Sequence, residues 1–302
     1  MIVRDRPGPL LLFFILRGSI VPKILMRVLF VTGLSALVVA AHRYAPAYVP
    51  SFSGGPLALM GVTLSIFLGF RNNACYDRWW EGRKQWGQLL ISARGLARQT
   101  ALFDARNLAR EKRELLLSIV DFAHALVSHL RPEDKHVAAF NTLNPEAIAT
   151  SRNVPDLILR RAGSLLAGLR AKDALSDVEL AMFDLRLEEM AAVQGACERI
   201  RSTPVPFAYT LLVHRTAVIF CLLLPFGFDD ILGWLTPLAS GLMAYTFFGL
   251  DALGDELEEP FGILPNDLPI GAIATSIEIS LKEALGDTDL PETPQPYRNV
   301  LL

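Results

Sequence analysis

The sequence predicts an all-α membrane protein, with membrane-spanning helices toward both ends and a large helical, water-facing region between them. Three observations carry that expectation. Four stretches are apolar enough to span a bilayer. Between the second and third, apolar residues recur at helical spacing, and no run alternates with the period of a strand. Of 302 residues, 52% are hydrophobic and 20% charged, against about 45–50% and about 25% in soluble domains.

The first span is Val28–Ala41, flanked by Arg27 and by His42 and Arg43. It is short for a crossing of about 20 residues, so either its ends extend outward or the tilt is small. The second is the uncharged run Pro56–Phe70, which passes into an Arg- and Trp-rich amphipathic stretch with no proline at the join. The third is Phe207–Phe228 and the fourth Ile231–Leu250. Ahead of them, Leu10–Leu16 is apolar, but no small-residue cleavage site follows it. It is expected to stay on the chain as an interfacial or packed helix.

Basic residues fix the orientation. Arg4, Arg6, Arg17, Lys23 and Arg27 precede the first span, and residues 71–113 carry ten Lys and Arg. The loop at 42–55 has only Arg43, and the turn at Asp229 and Asp230 has none. Basic segments stay cytoplasmic. This predicts a multi-pass inner-membrane protein with both termini and the middle region inside. The expected organisation is 1–70, an interfacial helix and two spans; 71–203, the cytosolic helices; 204–250, two more spans; and 251–302, a cytosolic helix and tail.

Within the cytosolic part, Leu89, Leu90, Ala93, Leu96 and Ala97 form one apolar helix face, and Leu115, Leu116, Ile119, Val120, Ala123, Leu126 and Val127 another. Arg131–Ala138 reads as a polar connection. Asn144-Pro145-Glu146 and Ser176-Asp177 read as helix starts. Pro204-Val205-Pro206 breaks the chain before the third span. Glu258–Pro269 breaks it again before a last helix at Ile270–Leu285 and a Pro-rich tail, expected to lie extended against a neighbour or to be disordered.

No nucleophile motif, phosphate loop or zinc-protease motif occurs, so no enzyme and no cofactor are predicted. The net charge of −2 gives no pull toward nucleic acid. Cys75, Cys197 and Cys221 are too far apart for a metal motif and read as buried or lipid-facing thiols. His124 and His129 are five apart, on different helix faces, and make poor joint ligands. No metal site is predicted.

Three features remain open on the residues alone. His214 and Arg215 lie inside the third span; Arg215 either snorkels to the interface or serves a subunit contact or water-lined cavity. The acidic run Asp251, Asp255, Glu256, Glu258 and Glu259 could hold a cation, but pairing with the Arg-rich helix after Phe70 is the commoner use. Trp79, Trp80 and Trp86, among Arg71, Arg78, Arg83 and Lys84, read as an interfacial belt or as packing at the base of a pore. Val62, Ile66 and Phe70 are spaced i, i+4, i+8 and share a face. Around an axis they would make stacked apolar rings, a hydrophobic gate. Most such stripes are ordinary helix packing, so periodicity leaves both readings standing.

The motifs Ile66-Phe67-Leu68-Gly69-Phe70, Arg78-Trp79-Trp80, Glu198-Arg199-Ile200, Thr203 to Thr210 (TPVPFAYT) and Glu259-Pro260-Phe261-Gly262 resemble the bestrophin family, in its bacterial branch, in order and spacing from about residue 20 to 285. The resemblance implies a homopentameric channel with four membrane helices per subunit around one axial pore. It implies a neck at Val62, Ile66 and Phe70 and a second, cytosolic aperture near Val178. Animal bestrophins are calcium-gated chloride channels, whereas bacterial relatives have been associated with cation permeation.

Two departures bear on this. The animal acidic cluster after Pro-Phe-Gly is here Ile263-Leu264-Pro265-Asn266-Asp267, which speaks against a calcium clasp. The animal neck proline is here Thr63. Asp177, beside Val178, would supply five carboxylates to a pentamer, which points to monovalent cations such as sodium. A chloride channel of the same build, a carrier and a non-conducting scaffold are the alternatives. The expected partners are copies of the same chain, the lipid bilayer and the permeant ions.

Overall fold

The computed structural model describes residues 1–4, 8, 10, 14–50, 52–133, 140–143 and 145–302. Arg6, residues 11–13 of the N-terminal apolar run, residues 134–138 of the polar connection and Asn144 lie outside them. Ten α-helices are described: α1 (Val21–Tyr44), α2 (Gly54–Gln99), α3 (Ala101–Asp104), α4 (Ala109–Leu130), α5 (Pro145–Thr150), α6 (Val154–Ala171), α7 (Asp177–Ser202), α8 (Phe207–Leu232), α9 (Thr236–Glu258) and α10 (Ile270–Leu285). Among the described residues, the only β-type pairing is two isolated bridges, Ile2 with Val300 and Tyr297 with Val300.

The second span and the Arg-rich stretch after it form one helix. α2 runs 46 residues without interruption, about 69 Å at 1.5 Å per residue. Neither Gly69 nor the change in composition stops it, because no residue there lacks a backbone donor or forces a left-handed turn. α1 extends beyond the apolar run Val28–Ala41 at both ends, starting with Pro22 in its first turn. The helix expected to form the fourth span begins later than the hydropathy suggests. Ile231 and Leu232 finish α8, Gly233 turns the chain with positive φ, and a 3-10 turn at Gly233–Leu235 precedes α9.

The chain divides into two compact units. One comprises Asp5–Trp79 and Pro204–Glu259. Its core joins Ile24 and Val31 of α1, Leu64 and Leu68 of α2, Phe220 and Leu224 of α8, and Ala244 and Phe247 of α9. The Phe220 and Phe247 rings meet edge to face at 5.0 Å. Helices that would otherwise face lipid gain little from burying apolar area, so association rests on close packing. Gly61 illustrates this: a Cβ there would lie 2.9 Å from the buried Phe220 ring. Three stretches are long and apolar enough to cross a membrane, within Val21–Tyr44, Gly54–Asp104 and Phe207–Glu258. Leu29, Phe30 and Leu37 of α1 and Leu238 and Leu242 of α9 are exposed on this unit.

The other unit comprises Met1–Arg4, Trp80–Thr203 and Pro260–Leu302. α4 packs against α6 and α10, and α6 against α7. The apolar faces read from periodicity close here: Leu89, Ala93 and Leu96, and Leu115, Leu116, Ile119, Ala123 and Leu126, are buried. Trp86 is also fully buried, so it is a core residue rather than part of an interfacial belt. The end of the tail pairs within its own chain. Leu301 donates to the Met1 carbonyl at 2.9 Å, and Ala272, at the start of α10, donates to the Leu302 carbonyl at 2.9 Å.

Candidate functional site

The stripe on α2 comes first. The residues facing the helix bundle are Leu57, Leu64, Leu68, Arg71 and Cys75, all buried. Val62, Ile66 and Phe70 lie on another face and are 59%, 52% and 63% exposed. None of them belongs to the buried cluster that α2 joins among the described residues. From Val62 to Phe70 the stripe spans about 12 Å along the helix axis. An added Cβ at Gly69 would meet nothing within 4 Å, so the open face continues there. An apolar face of this kind needs lipid, another copy of the chain or a narrow pore to cover it.

Directly below the stripe sits a charge cluster. Arg71 is fully buried and donates from Nη1 to Asp251 Oδ1 at 2.9 Å and to the Asp251 carbonyl at 3.2 Å. Its Nη2 donates to Asp255 and lies 3.5 Å from Glu258 Oε2. Arg78 donates to the Glu258 carbonyl, and Lys23 pairs with Glu256 at 2.7 Å. The acidic run therefore pairs with basic side chains of α1 and α2. On α8, His214 Nδ1 lies 2.6 Å from Asp251 Oδ2, which accounts for a polar residue at that depth. Arg215, its neighbour, is exposed.

Val178 and Asp177 begin α7. Val178 is 72% exposed. Ser176 caps the helix: its Oγ accepts from the Glu179 backbone N–H at 3.3 Å, while Glu179 Oε2 accepts from the Ser176 backbone N–H at 2.8 Å. This reciprocal box was legible in the sequence as Ser176 followed three residues later by Glu179. Asp177 is not a lone carboxylate. Arg170 Nε donates to its Oδ1 at 2.6 Å, and Arg170 Nη1 also pairs with Asp173 at 2.9 Å. The guanidinium holds the Asp177 carboxyl below the usual carboxylate range. Nothing in the sequence pointed to Arg170, because the pairing depends on how the 172–176 turn folds back.

Glu179 lies deeper still. Hydrogen bonds from the Arg106 guanidinium, then from Ser176, bring it from 4.5 to about 2. A carboxylate whose value falls on folding contributes stability above its unfolded value and loses it as pH drops through the folded one. The start of α7 should therefore be fully held above pH about 4.5 and loosen toward pH about 2. Thermal unfolding at pH 6 and pH 3 checks this: Glu179→Gln should flatten the difference seen in the parent.

The remaining polar candidates resolve into separate pairs. His124 meets Glu278 at 2.8 Å and His129 meets Glu198 at 3.2 Å, so the two histidines share no ligand site. All three cysteines are buried, and burial pushes the Cys197 thiol up to about 12. Asp267, the single acid after Pro-Phe-Gly, turns inward and accepts from the Leu264 N–H at 2.7 Å. At the far ends of α1 and α8, His42 Nδ1 lies 2.8 Å from Asp229, with Asp230 and Arg43 beside them. Sequence separation hid this pair, which staples the two helices.

Comparison with known proteins decides the family. The pattern described as Bacterial/Fungal Bestrophin protein matches residues 1–283. The chain belongs to the bacterial and fungal bestrophin family. A Mesorhizobium japonicum protein named as a voltage-dependent anion channel-forming protein is 47% identical over 289 residues, covering 95% of this bestrophin and 93% of the relative. An Escherichia coli K12 protein of the same description is 39% identical, with each chain fully covered. A crystal structure of a bacterial bestrophin homologue from Klebsiella pneumoniae superposes with a TM-score of 0.81 at 37% identity, covering 87% of this chain and 99% of that one.

Proposed function

We propose that this bestrophin is a homopentameric ion channel that passes monovalent ions, cations such as sodium ahead of anions, along an axis lined by α2. The observation that carries the reading is the Val62, Ile66 and Phe70 stripe: exposed, apolar, and on a helix whose opposite face is buried in its own bundle. Five copies around an axis cover that stripe with itself and make three apolar rings. Such a neck conducts poorly until it widens or wets. The names of the relatives, as channel-forming proteins, support the class.

Each subunit crosses the membrane four times in this reading. α8 has 26 residues and α9 has 23, about 39 and 34 Å at 1.5 Å per residue, so each alone spans a hydrocarbon core of about 30 Å. The turn between them carries Asp229 and Asp230 and no basic residue, which favours the outer side of the inner membrane. The Lys- and Arg-rich segments then lie inside with both termini. Val178 takes the position of the cytosolic aperture, exposed at the start of α7.

Selectivity follows from charge near the aperture. Arg170 is shared by Asp173 and Asp177, and one guanidinium between two carboxylates leaves that trio a single negative charge, partly offset by Lys172 in the same turn. That favours cations, more weakly than five bare carboxylates would. The chloride-selective alternative is favoured by the relatives' anion-channel names. A reversal potential under a NaCl gradient, measured in a planar bilayer with purified protein, separates them. The cation reading expects a value near the Na⁺ equilibrium potential that moves toward zero in Asp177→Asn. A value near the Cl⁻ potential retains the channel and overturns the cation preference. No current at all returns the scaffold reading.

A further inference from the structure

We infer that Asp251 is a positioning residue for the pore neck: by holding Arg71 it fixes the direction in which Phe70 points. The inference rests on the channel reading above. Phe70 and Arg71 are consecutive on α2, and consecutive helical residues project about 100° apart. Whatever pins Arg71 toward the bundle turns Phe70 onto the open face. Arg71 is pinned through both Nη atoms. Asp251, Asp255 and Glu258 reach it from one face of α9, at i, i+4 and i+7. Asp251 is itself oriented from a third helix, through His214 Nδ1 on α8.

Two further facts fit a device for orientation. The first is Gly254, one turn after Asp251 on α9. A Cβ there would lie 2.7 Å from Asn72 Oδ1 and 3.2 Å from Arg71 Nη1. α9 therefore presents bare backbone where the guanidinium lies. The second is cost. An apolar pair of similar volume would hold two helices together as well as a buried ion pair, often better. Apolar contacts such as those of Leu68 and Cys75 are non-directional, though, and allow a helix to turn about its own axis. A planar fork bonded to carboxylates does not.

The test is single-channel conductance of the full-length protein in planar bilayers, with oligomeric state measured alongside. Asp251→Asn should change conductance at least about threefold in the native neck. In a Phe70→Ala background it should add nothing, because the ring it positions is gone. Asp251→Glu, which keeps the carboxylate, should stay near the parent. The double variant Arg71→Met with Asp251→Leu should assemble yet keep an altered conductance, which a purely structural pair would not do.

The inference is overturned if Asp251→Asn conducts like the parent, if it shifts conductance equally with and without Phe70, or if the apolar double variant restores the parent value. Should Asp251→Asn fail to assemble, Gly254→Ala decides: it removes no charge but crowds Asn72 Oδ1, at 2.7 Å, and the guanidinium, at 3.2 Å, and unchanged conductance there sinks the idea. A variant with Ala at Val62, Ile66 and Phe70 together that conducts like the parent removes the neck itself and the clamp with it. Raised conductance in Phe70→Ala with a silent Asp251→Asn removes the clamp alone.

Discussion

Alanine at Val62, Ile66 and Phe70 together is expected to raise single-channel conductance on the order of tenfold, since lowering a barrier by about 1.4 kcal/mol multiplies a rate about tenfold. In the proposed pentamer each residue would contribute one ring to an apolar constriction about 12 Å long. The barrier in such a neck is the loss of the ion's hydration shell where no polar group replaces it. Shortening all three side chains widens every ring and lets water persist along the whole length. A single substitution leaves two narrow rings in series and should do less. Ala at Leu37 and Leu242, exposed apolar residues of α1 and α9, supplies the control and should leave conductance alone. An unchanged triple variant would remove the neck assignment.

Arg71→Ala is expected to lower the stability of the folded protein by at most about 3–5 kcal/mol, the usual cost of leaving one buried ion without its partner, because Asp251 keeps His214. Arg71 and Asp251 are both buried, at 2.9 Å, so no water replaces the lost guanidinium. The measurement is thermal unfolding in detergent, with yield from the membrane fraction as a second readout. Replacing both members by Met and Leu should recover most of the loss, since the desolvation cost then disappears with the charges. For scale, losing the Ser176 cap of α7 should cost about 1 kcal/mol. An Arg71→Ala protein with the parent's melting temperature would show that the pair adds nothing to stability.

Much of this was legible in the residues. The unbroken α2, the starts of α7 and α10 and the break at Pro204-Val205-Pro206 follow from local rules: periodicity, a capping box and prolines. What escaped was set by residues far apart in the chain. Arg170 reaches Asp177 only because a turn brings it back, and His42 meets Asp229 only when α1 and α8 lie together. Trp86 belonged to the core because α2 carries it beyond the Arg-rich stretch into a packed unit. The tail's pairing with Met1 left no local pattern. The start of α9 was misplaced because hydropathy scores Ile231 and Leu232 alike whether they end one helix or begin the next. The neck stripe was readable as a pattern, but its use was not, since packing and pore faces share the same spacing.

The Arg71–Asp251 pair also sets an order of events during biosynthesis. Its members are 180 residues apart, so at about 5–20 residues per second the arginine is made some 10–35 s before its acid. An Asp in mid-helix carries an insertion penalty of about 2.5–3.5 kcal/mol, and the same holds for a lone Arg. In the proposed orientation, α2 would hold Arg71 at the cytoplasmic surface until α9 is made. A nascent chain stopped before α9 would lack all three carboxylates that meet Arg71 and would hold an unneutralised cation.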